Sequence, residues 1–448
     1  MSTYRLHIKD SWLLAYPVML SMLGQVMTGV ADSVMVGWTG ATPLAASSFA
    51  NIFFTIPLFF GIGVSYAITP LVAEANGAGN QNKISEVLRN GSLINLCMGL
   101  ILVALIFAAE PFMHSMNQPE DVVDLALPYL NIIAVSIIPT MIFQTYRQFA
   151  EGMHSTRMAM IIVIGSNLLN IFLNYLLIFG KFGFPELGLN GAGWATLISR
   201  ITMAVGMMLY IYYGKKFLPF RLGFSIGNYS RKLVNKMLHI GIPSGTQFIF
   251  EAGAFGFSAI MMGWMGTTAL AAHQIAINLA TISYMTTSGL AAAATIRVGH
   301  FLGQRDFNSM RIAAFTLIGM AMVVMMAWAF LFIFGRHFLP TLYIADGDVI
   351  ALTSTLLIVA AFFQLSDGMQ VVCAGALRGL QDVKVPTVFI FVAYWIIGLP
   401  LGYWFGFKMG FGPNGIWIGL LIGLTLTAMA MLVRFLHLSK KLRATPSL

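Results

Sequence analysis

The sequence predicts an all-α polytopic membrane protein, with twelve transmembrane helices in two parallel-repeat six-helix bundles. Three observations carry this. Of 448 residues, 58% are hydrophobic and only 9% charged, well outside the composition of soluble domains. The apolar residues fall into runs that reach or exceed the roughly 20 residues a bilayer crossing demands. Finally, residues 17–77 laid over the chain 226 positions later give 17 identities in 61 ungapped positions, where so biased a composition gives roughly 5 by chance.

The first run, near 12–37, follows a short polar start (Met1 to Asp10) that has no brief apolar core with a small-residue cleavage site, so no cleaved signal peptide is expected. Gly, Pro and charge clusters then separate runs near 44–75, 88–110, 124–149, 157–180 and 190–213. The polar stretch 214–236 is too short to bury a core of its own. It reads as a basic cytoplasmic linker. Runs near 237–264, 268–299, 310–335, 348–376, 385–407 and 413–436 complete the set. The division is therefore an N-terminal bundle 1–213, the linker 214–236 and a C-terminal bundle 237–448.

The repeat supports the same division. The 226-residue offset carries Gly37-Trp38 onto Gly263-Trp264, Leu44-Ala45-Ala46 onto Leu270-Ala271-Ala272, and Gly77 onto Gly303. Further along, Glu151-Gly152 followed by Arg157 matches Arg378-Gly379 followed by Lys384, and Asn190-Gly191 matches Asn414-Gly415. Six spans per unit is an even number, so both halves enter the membrane from the same side and the repeats are parallel. With both termini placed inside, 21 of the 25 basic residues fall in cytoplasmic segments or at the cytoplasmic ends of spans; Lys181, Arg336 and Lys408 fall outside and Arg200 lies deep within a span. That asymmetry fixes the expected orientation.

The net charge of +9 thus marks topology, and nucleic acid is not expected as a partner. Cys97 and Cys373 lie in apolar stretches and read as core residues, not as a disulfide or metal pair. The histidines are scattered and no HExxH is present. No soluble catalytic domain fits the chain, so it is not expected to be an enzyme. His273 reads as structural before it reads as a proton relay.

Ionisable residues inside spans are expensive and are functional candidates by default. Asp32, Arg200, Glu251 and Asp367 qualify. Glu251 lies midway along its span with no basic residue within two turns, so it either stays protonated, holds a cation, or bonds a neighbouring helix for packing. Asp367 shares a stripe with Gln364 and Gln370 at i, i+3 and i+6. Two acids in one bundle can share a monovalent cation or a proton. Phe255, one turn from Glu251, and Tyr284 on the adjoining span offer either cation–π support or ordinary core packing. Asp32 is not the repeat equivalent of Glu251: the offset carries Asp32 onto Ser258 and Glu251 onto Gln25. Asn170 and Asn174, spaced i, i+4, make a polar face able to bond an inward carboxylate. Arg200 either neutralises such an acid or snorkels.

These segments resemble the multidrug and toxic compound extrusion (MATE) transporters, most closely the bacterial NorM-type branch. The resemblance runs end to end and is carried by Gly29-Val30-Ala31-Asp32-Ser33-Val34-Met35, Val72-Ala73-Glu74-Ala75-Asn76-Gly77, Phe250-Glu251, Ala272-His273-Gln274-Ile275-Ala276, Thr295-Ile296-Arg297-Val298-Gly299, Gln364-Leu365-Ser366-Asp367 and Ala374-Gly375-Ala376-Leu377-Arg378-Gly379. It implies a MATE-like fold and export of amphiphilic, mostly cationic small molecules in exchange for sodium ions or protons, with no cofactor. By this resemblance Glu251 and Asp367 correspond to cation-binding acids, with sodium the metal they would hold, and Tyr284 and Phe255 stand beside them. Asp32, Asn170 and Asn174 correspond to an ion- or proton-binding cluster in the N-terminal half. The chain departs from the pattern at Glu74, where glutamine is usual; its place at a span end puts it away from the ion site. A monomer in the bacterial inner membrane is implied. The rival reading is a lipid or lipid-linked oligosaccharide flippase of the same superfamily, whose cavity would carry several bases, against three acids and Arg200 here. An ATP-driven pump is disfavoured because the chain has no Gly-x-x-x-x-Gly-Lys-Ser/Thr loop.

Overall fold

A computed structural model describes residues 2–116, 118–224, 227 and 229–444; residues 225, 226 and 228 of the expected linker and both extreme chain ends lie outside the described residues. The first half contains α1 (Ser2–Gly37), α2 (Ala41–Ser65), α3 (Ile68–Gly77), α4 (Gln81–Ser115), α5 (Glu120–Val135), α6 (Ile137–Gly152), α7 (Arg157–Phe179) and α8 (Gly188–Tyr213). The second contains α9 (Arg231–Met265), α10 (Thr267–Gly303), α11 (Phe307–Gly335), α12 (Gly347–Gly379), α13 (Lys384–Phe391), α14 (Leu399–Tyr403) and α15 (Gly412–Ala444). Three apolar crossings are interrupted: α2 and α3 around Tyr66, α5 and α6 at Ser136, and α13 and α14 by π-helical turns at Val392–Gly398 and Trp404–Lys408.

Among the described residues, eleven helices are long and apolar enough to cross a membrane. The remaining expected span is α10, which is continuous over 37 residues. Its many alanines and threonines, with His273, Gln274, Asn278, Arg297 and His300, dilute its apolar character. Length satisfies the bilayer there; composition is set by helix-to-helix packing, which favours small residues.

The helices pack as two compact units. One comprises residues 20–245; the other comprises residues 1–19 with 246–448. Helices α1 and α9 thus each contribute to both. The two crossover points are 245 − 19 = 226 residues apart, the same offset as the sequence repeat.

The duplication extends to individual turns. Asn80 caps α4 by accepting from the Lys83 backbone N–H at 3.0 Å, and 226 residues on Asp306 caps α11 by accepting from the Ser309 N–H at 3.0 Å. Before each cap stands a left-handed residue, Gly79 (φ 67°) and Arg305 (φ 59°). Glycine adopts this backbone freely, whereas arginine must be held there by its surroundings. In the first unit the Thr69 hydroxyl donates to the Gln148 carbonyl at 3.1 Å; in the second its counterpart Thr295 donates to the Gly375 carbonyl at 2.8 Å. Two bundles of one ancestry fold by the same local rules.

Within the second unit, Gly402 and Gly419 lie backbone against backbone, so that a methyl on Gly419 would strike Gly402. The π-helical turn Val392–Gly398 lies equally close to α15, where a Cβ on Gly423 would strike the Ala393 carbonyl beside Tyr394. In the first unit, residues Lys215–Phe224 form a 3₁₀ helix rather than loose chain. Phe217 and Phe220 bury against Phe149, with centroids 6.0 and 6.2 Å away. Lys216 Nζ donates to the Met153 carbonyl, and burial lowers its pKa.

Candidate functional site

Glu251 enters the second unit from α9, one turn beyond Gln247, whose amide donates to the Thr387 hydroxyl at 3.1 Å and the Val383 carbonyl at 3.3 Å. On the following turn a Cβ at Gly253 would meet the Trp395 ring, and Trp395 Nε1 donates to the Phe250 carbonyl at 3.0 Å. These contacts fasten α9 to α13 and the first π turn on both sides of Glu251. The carboxylate itself accepts from Gln370 Nε2 at 2.8 Å on Oε1. Gln370 Oε1 in turn accepts from the Tyr394 hydroxyl at 3.2 Å. In the chain Tyr394–Gln370–Glu251, Tyr394 and Gln370 are buried, 1% and 2% exposed, and Glu251 is half-buried.

Asp367 is 6% exposed and lies one turn before Gln370. It sits within electrostatic range of Glu251, and Tyr394 is within range of Glu251, Asp367 and Tyr284. Phe255 meets Tyr394 edge to face at 6.1 Å and Phe363 at 6.0 Å. Thus the structure gathers Glu251, Asp367 and Phe255 around Tyr394, with Tyr284 at the margin. Two groups were not singled out from sequence. Tyr394 sat in a run of aromatics and gave no signal of its own. Arg378, at the last turn of α12, contributes electrostatically at Glu251, although no basic residue lies near Glu251 along its own helix.

The acidic cluster of the first unit is separate. Asn174 Nδ2 donates to Asp32 Oδ1 at 2.5 Å and to Asn170 Oδ1 at 3.2 Å, joining α1 to α7. Both asparagines are buried, and Thr196 of α8 adds a side-chain hydrogen bond to Asp32. Arg200 points inward: it donates to Ser136 Oγ at 2.7 Å and lies 4.9 Å from the centre of the Phe54 ring. It lies within electrostatic range of Asp32 and Tyr129. Of the two readings of Arg200, snorkelling is excluded. The interruption at Ser136 supplies a hydroxyl at the depth where the guanidinium needs one. Thr196 and Tyr129 were missed, because hydroxyl residues in apolar helices are common and carry no spacing signal.

Other candidates are structural. His273 is buried and accepts from Trp417 Nε1 at 3.2 Å. Glu74 pairs with Lys83 at 3.1 Å and Lys236 at 3.9 Å. Cys97 and Cys373 are both free; Cys373 is buried as expected, whereas Cys97 is exposed on α4 and is not a core residue. Among the described residues, no group of three or more His, Cys, Asp or Glu side chains is placed to hold a metal ion. Two carboxylates with amide and phenol neighbours form a hard-oxygen environment, suited to an alkali cation or a proton and not to a thiophilic metal.

A sequence profile of the MatE family matches residues 17–176 and 243–404, two segments that begin 243 − 17 = 226 residues apart. The multidrug resistance protein NorM of Photobacterium profundum is 34% identical over 438 residues, covering 97% of this chain and 96% of that protein. The multidrug resistance protein MdtK of Yersinia enterocolitica is 33% identical over 448 residues, covering 98% of each. Among solved structures, the eukaryotic MATE transporter AtDTX14 superposes with a TM-score of 0.88 at 19% identity, covering 98% of this chain and 99% of that one. An outward-facing multidrug resistance MATE family transporter gives 0.90 at 19% identity, covering 98% and 97%. At that identity the structural likeness speaks to fold alone.

Proposed function

The chain belongs to the MatE family of membrane transporters, and from that premise we propose that it is a secondary active multidrug antiporter, exporting amphiphilic, mostly cationic compounds in exchange for sodium ions or protons. It is a multi-pass membrane protein and a transporter, not an enzyme. The observation that carries the finer reading is the pair of acids Glu251 and Asp367 in one unit, the first half-buried and the second buried, within electrostatic range of each other. Such a pair needs a positive partner in a dry site, and a sodium ion or a proton supplies it. Binding that partner removes the repulsion and shifts the balance between conformations, which is the differential interaction that coupling requires.

In the same reading Gln370 and Tyr394 orient the Glu251 carboxylate, and Phe255 and Tyr284 present aromatic surface beside it. The Asp32, Asn170 and Asn174 cluster is a second ion- or proton-binding group. Its neighbour Arg200 supports that role by balancing Asp32 while held on Ser136 and Phe54. A lipophilic cation gains burial for its apolar body while its charge meets a carboxylate. In the same reading the protein is a monomer of the bacterial inner membrane, and its termini are cytoplasmic because 21 of 25 basic residues then lie on that side.

The test is transport in proteoliposomes with sodium and proton gradients imposed separately. Uptake of a lipophilic cationic dye driven by either gradient is expected, with none from ATP alone. Movement of a lipid-phosphate anion and of no cation would transfer the protein to the flippase reading.

A further inference from the structure

Gln364 is wholly buried, and neither its Oε1 nor its Nε2 has a hydrogen-bond partner among the described residues. Burial of an amide with nothing to bond is unfavourable, and buried polar groups in folded proteins almost always find a protein, water or ion partner. Gln364 stands three residues before Asp367 on α12, and such neighbours have Cβ atoms about 5–6 Å apart on one helix face. Gln370, the donor to Glu251, follows three residues after Asp367. One turn beyond Gln364, a Cβ on Gly368 would meet Met325 and the Ala321 carbonyl of α11, so this side of α12 faces helix and not lipid. A leucine would fill such a position more comfortably, and the amide therefore calls for a ligand.

We propose that Gln364 is a further ligand of a sodium ion held by Glu251 and Asp367, its Oε1 supplying a neutral oxygen beside the two carboxylates. The inference rests on the reading of that pair as an ion-coupling site, and it deepens that reading by choosing the ion. A proton is held on one carboxylate oxygen and needs no further donor. A hard metal cation gathers several oxygens, and carboxamide carbonyls serve alongside carboxylates. With Oε1 on the ion, Nε2 donates to a water of the ion's remaining shell. Gln364 thus acts as a specificity residue, favouring sodium without adding charge.

Equilibrium binding of sodium-22 to the purified full-length protein in detergent, at fixed pH, tests this. Gln364→Leu is expected to weaken sodium binding about 10-fold, equivalent to about 1.4 kcal/mol, while thermal stability measured without sodium stays level or rises. Gln364→Glu is expected to bind at least as tightly as the parent, and Gln364→Asn, with its oxygen withdrawn by a methylene, more weakly. Should the leucine variant fail to fold, the glutamate and asparagine variants decide by that contrast. Parental affinity in all three variants, with binding lost in Glu251→Gln, overturns the assignment of Gln364 and leaves the acidic site standing. Binding retained in Glu251→Gln overturns the acidic site itself. A parent protein that binds no sodium overturns the choice of ion.

Discussion

Gln370 reaches from α12 to α9 and holds Glu251 by a 2.8 Å hydrogen bond between residues 119 apart in sequence. The direction of that bond is fixed from behind. The Tyr394 hydroxyl donates to Gln370 Oε1, so the amide can present only its N–H to the carboxylate. One Glu251 oxygen is therefore engaged by a neutral donor, and in the proposed function the other serves the ion or proton. Removing either carboxylate and removing the groups that aim it are different perturbations, and they make different predictions.

Glu251→Gln and Asp367→Asn are each expected to abolish gradient-driven export while the protein still inserts, because the coupling ion loses a formal counter-charge in a dry site. Dye efflux from cells at matched expression checks this. Ordinary efflux by either variant removes these acids from the coupling mechanism.

Gln370→Ala leaves the carboxylate without its donor, and hydrogen bonds to charged groups are worth about 1.5–3 kcal/mol. Export is expected to fall roughly 10- to 100-fold by that conversion. Tyr394→Phe keeps the ring against Phe255 but frees the amide to turn, so a smaller loss is expected, with a changed apparent affinity for the driving ion. If Tyr394→Phe changes thermal stability alone and leaves that affinity unmoved, the hydroxyl only packs.

In the first unit, Asp32→Asn is expected to impair export and Asn170→Ala to do so partly, since Asn170 reaches Asp32 only through Asn174. Full activity in Asp32→Asn returns the cluster to a packing role.

The paired helix caps give a test of the duplicated turns. Asp306→Ala and Asn80→Ala are each expected to lower stability by about 1 kcal/mol. They part company with pH. The hydroxyl and backbone N–H of Ser309 hold the Asp306 carboxyl below its usual pKa, so its folded state binds the proton less readily than the unfolded chain does. Its contribution is complete above the ordinary carboxylate range and is lost as pH falls through the lowered folded value. Asn80 does not titrate. Thermal unfolding in detergent should therefore show the Asp306→Ala deficit shrinking in acid while the Asn80→Ala deficit persists; equal behaviour would mean that Asp306 caps without its charge.

The sequence alone determined the membrane class, the crossings, the duplication and the residues that bear charge inside spans. Each of these is local: hydropathy is summed along one stretch, a repeat is read by sliding the chain on itself, and an acid in lipid is conspicuous wherever it points. Even α10, whose composition blurs the signal, was legible by its place in the repeat. The tertiary structure decided the partners. Gln370 was visible as one member of a polar stripe, but its bond to Glu251 depends on how two helices are rotated against each other. Tyr394 enters the site from a π-helical segment held against α15 where Ala393 and Gly398 meet Gly423 and Gly419. Arg200 could have risen to the surface until the break at Ser136 supplied an acceptor within the unit. Likewise, residues 1–19 belong by packing with 246–448, although they adjoin the first repeat in the chain. Periodicity names the face of a helix that must be buried; which neighbour buries it is a property of the assembled bundle.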